Sequence, residues 1–320
     1  MLLFAPGHSV AFGRRVADCL GVTLANSEER EYGGGEHRMR PLDDVHGQDV
    51  FVIQSLCADE HASANDKLCR LLFFLGALKD AGARRVTAVV PYFAYSRKDR
   101  RTHPQDPVIT RYVAQMFEAM GVDCVVALDI HNEAAFDNAF RCQAVRLEAG
   151  ETFAASLAPD IGTSEVVVAS PDIGGVKRAQ LFRESLAREL GREVGFAFME
   201  KRRTGGVVSG DMLVGDVENR TLILYDDLIA SGTTLLRACK VARRAGAARI
   251  YVAAPHAAFL PEATQLFASQ DIHAVLVSDS IALAPSFANV PGERLRVCSV
   301  APLIANMIRA AMIQRLAAHS

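Results

Sequence analysis

One stretch, TLILYDDLIASGTTLLRACKVA over residues 221–242, constrains the fold of this chain more than any other. Its first four residues form an apolar run of buried-strand composition, and residues 235–242 read as a helix. Between them stand Asp226 and Asp227, then the small, hydroxyl-rich turn Ala230, Ser231, Gly232, Thr233 and Thr234. A strand that turns into a helix in this way presents free amides and the positive end of a helix dipole, which suits a phosphate. Gly232 lets the backbone approach closely. The two acids would repel a phosphate and suit vicinal hydroxyls, or a metal lying beside them. Acids and turn together therefore point to a sugar phosphate. The bland alternative is a strand end with an N-capping Ser or Thr, but two adjacent acids at the end of a buried strand need a reason.

The same alternation runs along the whole chain. Residues 1–6 and 50–54 read as strands, 10–20 as a helix, and 65–81 as a long helix with Leu68, Leu71, Leu72, Leu75 and Leu78 on one face. A strand is expected at 86–91, a helix at 109–120, a buried strand at 124–128 and a last helix at 302–318. Such a pattern implies an α/β fold with mostly parallel sheets flanked by helices. Residues 79–86, KDAGARRV, align without a gap with 243–250, RRAGAARI, and each segment continues into a strand, a helix and a further strand. A match of that extent favours two similar domains. We expect them at 1–147 and 148–300, with a C-terminal helix over 301–320 packing back on them.

At 320 residues, half of them hydrophobic, the chain has room for two domains, and its net charge of −2 without a like-charged run argues against a nucleic-acid partner. Seven scattered Cys without metal spacing suggest a reducing compartment. The longest apolar run, residues 71–78, is too short to cross a bilayer, and the first residues lack a secretion signal. The expectation is a cytoplasmic protein with no membrane partner.

Four further segments carry chemistry. Residues 91–101, PYFAYSRKDRR, follow a strand and mix aromatics with Arg97, Lys98, Arg100 and Arg101, a set able to stack a base and bind polyphosphate; the alternative is a solvated basic loop. His131 follows the 124–128 strand at its carboxyl edge, where open α/β sheets place ligands, although a lone His is as often structural. Asp172 with Gly174 and Gly175 follows the apolar run 166–169, and reads either as a ligand pocket or as a capped strand-to-helix turn. His131 and Asp172 together suit Mg²⁺, which keeps waters and borrows phosphate oxygens. Lys201, Arg202 and Arg203 precede Gly205 and Gly206, as expected of a segment that closes over a polyphosphate or, more blandly, of an exposed charged hairpin.

In this order, the stretches resemble the ribose-phosphate diphosphokinases, the phosphoribosyl pyrophosphate (PRPP) synthase family, over nearly the whole chain. The resemblance implies two phosphoribosyltransferase-type domains and transfer of the β,γ-diphosphoryl group of Mg-ATP to the C1 hydroxyl of ribose 5-phosphate. It implies Lys201 and Arg203 as catalytic residues. ATP would be bound by Arg97, Lys98 and Asp99, and by Gly34, Gly35 and Glu36 from a facing subunit of a homo-oligomer built from dimers, such as a hexamer. Ribose 5-phosphate would be bound by Arg203, Asp226, Asp227, Ala230, Ser231, Gly232, Thr233 and Thr234. His131 and Asp172 would take the Mg²⁺ roles.

The chain departs from the family pattern in places. Residues 32–36 read YGGGE where Phe-Ser-Asp-Gly-Glu is usual, Lys98 replaces Gln, Ala230 replaces Asp, and Thr-Gly-Gly follows Arg203. None of these removes a metal, cation or phosphate group. Two other readings stay open on the residues alone, a PRPP-consuming phosphoribosyltransferase and a non-catalytic, nucleotide-binding regulatory paralogue.

Overall fold

The computed structural model describes residues 1–204 and 207–317, apart from the side chains of His8, 201–211 and 315–317. The chain divides into two units. One comprises Met1–Leu147, Ser280–Ala282 and the chain from Val300 on; the other comprises Glu148–Asp279 and Leu283–Ser299. No helix of the described residues is long and apolar enough to cross a membrane.

The first unit contains β1 (Leu2–Phe4), α1 (Val10–Leu20), β2 (Ser27–Glu31), β3 (His37–Pro41), β4 (Asp49–Ile53), α2 (Ala64–Asp80) and β5 (Arg85–Val90). It continues with α3 (Ile109–Ala119), β6 (Cys124–Leu128), α4 (Glu133–Ala139) and β7 (Gln143–Leu147). Its main sheet is parallel in the order β1-β4-β5-β6-β7, with β2 and β3 as a separate antiparallel hairpin. Every residue of β4 and β6 is buried, as their apolar composition requires of strands covered on both faces.

The second unit contains α5 (Gly150–Ile161), β8 (Val166–Ser170), α6 (Val176–Leu190), β9 (Gly195–Thr204), β10 (Val207–Val214), β11 (Thr221–Tyr225) and α7 (Thr233–Arg244). It ends with β12 (Arg249–Ala254), α8 (Thr264–Ala268), β13 (Ala274–Ser278), α9 (Pro285–Ala288) and β14 (Leu295–Cys298). Its sheet runs β10-β9-β8-β11-β12-β13-β14, parallel except where β10 pairs with β9. The last helix, α10 (Ala301–Ala317), returns to the first unit, where Arg309 Nη2 donates to the Cys19 carbonyl at 2.7 Å.

The internal match seen in the sequence has a structural cause. The order β1-β4-β5-β6-β7 in one unit is repeated as β8-β11-β12-β13-β14 in the other. The shared Ala-Gly-Ala closes α2 and α7 in the same way. Gly82 and Gly246 both take left-handed backbone, at φ +83° and +88°. The next amide then bonds back five residues, Ala83 to Leu78 and Ala247 to Ala242. Each turn feeds the following parallel strand.

The site-bearing loops rest on aromatic packing. Beneath residues 91–101, Phe93 is 1% exposed and meets the rings of Phe117, Phe136 and Phe140 at centroid distances of 5.8, 5.4 and 6.0 Å. In the second unit Tyr225, the last residue of β11, stacks on Phe182 of α6 at 4.2 Å. Removing a large buried ring typically costs about 3–5 kcal/mol. Phe93→Ala is therefore expected to lose stability on that scale by denaturant unfolding; a loss below about 1 kcal/mol would show that the 91–101 loop does not depend on this cluster.

Candidate active site

In the second unit the strand order reverses direction between β8 and β11, the position at which open α/β sheets form a ligand crevice at their carboxyl ends. Asp172 follows β8, and Asp226 and Asp227 follow β11, so these sequence-predicted acids share that edge. The Asp226 and Asp227 side chains are largely buried, at 22% and 11% exposure. The partner that offsets this burial is Arg178, on the first turn of α6. Its Nη1 lies 3.3 Å from Asp226 Oδ1 and its Nη2 3.5 Å from Asp227 Oδ2. Asp226 Oδ1 also accepts the Asp227 amide at 2.8 Å.

Burial is the largest influence on the Asp226 carboxyl and raises its pKa, Asp227 raises it further, and Arg178 opposes both. Arg178 was not among the residues the sequence singled out. On an amphipathic helix it looks like any surface charge, and the only hint was that two buried acids require a cation from somewhere.

Beyond the acids, Gly232 is the N-cap of α7 at φ +74°, and no side chain caps it. Ser231 Oγ lies 3.0 Å from Thr233 Oγ1 and accepts the Thr233 amide in a long bond of 3.4 Å, while Thr233 and Thr234 are exposed. Ala230 accepts the Leu260 amide at 3.2 Å and so anchors the turn. The counterpart helix α2 behaves differently. Ser63 and Asp66 form a complete capping box there, with Asp66 placing a carboxylate over the amides. Of these two corresponding helix starts, the one left open at α7 is receptive to an anion and the one closed at α2 is not.

Asp172 is exposed, and its Oδ1 accepts the Gly175 amide at 2.9 Å, so it does cap the turn into α6. That bond employs one carboxylate oxygen and orients the group. Lys201 and Arg203 lie on β9, opposite Asp211 and Val208 of β10 in the backbone register. β9 continues through Thr204 and pairs antiparallel with β10, which is the charged-hairpin alternative of the sequence reading. The side chains of Lys201 and Arg203 lie outside the described residues.

The first unit brings another set together. Tyr92, Tyr95, Ser96, Arg97, Lys98 and His131 line a cavity of about 360 Å³. Residues 91–101 leave β5 and His131 leaves β6, neighbouring parallel strands, so both loops rise from the carboxyl edge of that sheet. Tyr95 holds left-handed backbone at φ +65°, fixed by its hydroxyl donating to Asn65 and its carbonyl accepting Thr110 Oγ1 at 2.8 Å. Asp99, expected at the nucleotide, is not among the residues that line this cavity; its Oδ2 accepts Asn132 Nδ2 at 2.6 Å. Gly34, Gly35 and Glu36 lie apart in sequence, at the exposed tip of the β2–β3 hairpin, where the Tyr32 amide donates to the Glu36 carbonyl at 2.8 Å. The sequence reading missed that hairpin.

Among the described residues no group of three or more His, Cys, Asp or Glu side chains could hold a metal ion. A dedicated cage is therefore not built there. Exposed single donors such as Asp172 and His131 fit a hydrated Mg²⁺ that arrives on phosphate oxygens.

Gly232 gives a direct check of this geometry. A Cβ there would meet Leu266 Cδ1 at 2.6 Å, and left-handed backbone costs a non-glycine residue about 1–2 kcal/mol. Gly232→Ala should destabilise the protein by at least that amount in denaturant unfolding; an unchanged midpoint would contradict the open helix start.

Comparison with known proteins agrees with the two-unit layout. Residues 1–121 match the family model for the N-terminal domain of ribose phosphate pyrophosphokinase, and residues 143–264 match the phosphoribosyl transferase domain. The chain is 34% identical over 318 residues to a ribose-phosphate pyrophosphokinase of Vibrio parahaemolyticus, covering 97% of this chain and 95% of that one. It is 33% identical over 314 residues to one of Neisseria meningitidis, covering 97% and 91%. A crystal structure of phosphoribosylpyrophosphate synthetase from Mycobacterium smegmatis superposes with a TM-score of 0.88 at 31% identity, over 98% of this chain and 99% of that one. Similarity at this level, end to end in both sequence and fold, places the chain in the ribose-phosphate pyrophosphokinase family.

Proposed function

We propose that the protein transfers the β,γ-diphosphoryl group of Mg-ATP to the C1 hydroxyl of ribose 5-phosphate, giving PRPP and AMP. The observation that carries this reading is the carboxyl edge of the second unit, where an arginine-braced acid pair stands before an uncapped helix start. The amides and hydroxyls of Ser231, Gly232, Thr233 and Thr234, with Ala230 shaping the turn, take the 5-phosphate. Asp226 and Asp227 take the ribose hydroxyls, and Arg203 adds a cation to the sugar phosphate. In the first unit Arg97 and Lys98 bind the ATP phosphates in the cavity with His131, and Asp99 supports that loop.

Gly34, Gly35 and Glu36 sit on an exposed hairpin tip, which suits service to the ATP of a neighbouring copy in a homo-oligomer. Mg²⁺ carried on the phosphate oxygens would neutralise phosphate charge, with His131 in the first unit and Asp172 in the second each able to take a metal role through its waters. The protein's own task is alignment: the C1 oxygen faces the β-phosphorus in line with the departing AMP oxygen. Lys201 and Arg203 then meet the charge that develops on the transferring group. A transferase that consumes PRPP would have no use for the cationic cavity of the first unit.

Phosphorus NMR of the protein with Mg-ATP and ribose 5-phosphate is expected to show AMP and PRPP appearing together. AMP formation independent of ribose 5-phosphate, with ATP, GTP and CTP each tried as donor, would refute the assignment. Lys201→Ala should lower kcat by about a hundredfold or more with KM little changed, the scale on which one preorganised charge stabilises a transition state. Near-normal kcat would make Lys201 a surface charge.

A further inference from the structure

Asn132 makes two side-chain bonds to which the proposed reaction gives no role. Its Oδ1 accepts the Ala135 amide at 3.1 Å, which makes it the N-cap of α4. Its Nδ2 donates to Asp99 Oδ2 at 2.6 Å. With both ends of the amide engaged, one by a donor and one by an acceptor, its orientation is set by chemistry.

The two residues it joins belong to the two loops that build the cavity. Asp99 follows Arg97 and Lys98, Asn132 follows His131, and Arg97, Lys98 and His131 line the same space. Each loop also holds a non-glycine residue in left-handed backbone, Tyr95 at φ +65° and Asp129 at φ +42°. Such residues persist only where neighbouring contacts over-determine them. The 91–101 loop has anchors of its own: the Tyr95 hydroxyl bonds Asn65, and Thr110 bonds the Tyr95 and Lys98 carbonyls. The loop after β6 is held at its start by the Asp129 amide on the Leu147 carbonyl, and at its end by Asn132.

We propose that Asn132 is a positioning residue for the nucleotide: it ties the Asp99 carboxylate to the start of α4, and so holds His131 against Arg97 and Lys98 in a preformed phosphate pocket. This rests on the reading that the first unit's cavity takes ATP. The bracket works through Asp99 and α4 rather than by touching substrate. Its loss therefore raises the cost of ordering two loops around the triphosphate and leaves the sugar site alone.

Asn132→Asp isolates this role. Aspartate caps a helix as well as asparagine does, so α4 keeps its start, but the donor facing Asp99 becomes a like-charged acceptor. Steady-state rates with each substrate varied, together with calorimetric binding of a non-hydrolysable ATP analogue, read the outcome. The expected result is KM for ATP and Kd for the analogue raised by about tenfold or more, with KM for ribose 5-phosphate changed by less than about twofold. The double variant Asp99→Asn with Asn132→Asp restores the bond with its polarity reversed, and should recover ATP affinity to within about threefold of wild type. Recovery in the double variant also excludes simple misfolding. An Asn132→Asp protein that binds the analogue as wild type does, or a double variant as weak as the single, would overturn the bracket. A wild-type protein that binds no ATP analogue would instead remove the functional reading beneath it.

Discussion

Placing Asp226 and Asp227 side by side at the end of a buried strand carries a desolvation and repulsion cost that the surroundings must offset. Arg178 does so from α6, at 3.3 and 3.5 Å, and thereby links the strand end of β11 to the helix that follows β8. The two flank the place where the sheet order reverses. The Phe182–Tyr225 stack lies along the same two elements and supports them from the core. The acid pair at the second unit's carboxyl edge is thus braced by one largely buried guanidinium. Removing it would strip the acid pair of that cation, a costlier change than deleting the whole cluster.

The two units show how one strand order can serve different chemistry. Both run five parallel strands in corresponding sequence, with the same glycine-closed helix end before the third. They differ at the helix start after the second strand. In the first unit Ser63 and Asp66 satisfy the amides of α2 internally. In the second, Gly232 leaves those of α7 without a side-chain cap. Helix dipole and free donors are therefore available to an anion at one unit's second strand and cancelled at the other's. The first unit instead gathers Arg97 and Lys98, with His131 beside them, in the loops after its third and fourth strands.

Much of the fold was legible because its signals are local. Fully apolar runs such as 124–128 can only be strands covered on both faces, and they are. The 79–86 and 243–250 match was visible because left-handed backbone after a helix selects glycine. The β2–β3 hairpin was not legible: SEERE and HRMRP are polar strands of a small two-stranded sheet, stabilised by pairs such as Arg40 with Glu28 that no periodicity reveals. The strand through Thr204 was legible only as the alternative of an exposed charged hairpin, since its charged residues carry no apolar strand pattern. At the site, the sequence supplied residue types in order, while Arg178 and the Asp99–Asn132 bond appear only in space. Both connect residues more than thirty positions apart through side chains of ordinary surface type.

The central claim is that the open start of α7, backed by the arginine-braced acids, receives the sugar phosphate. A crystal structure of the protein soaked with ribose 5-phosphate tests it most directly. The phosphate should sit on the amides of 231–234 and the ribose hydroxyls on Asp226 and Asp227. Density for the phosphate against Arg97 and Lys98 instead, with the α7 start empty, would contradict the account.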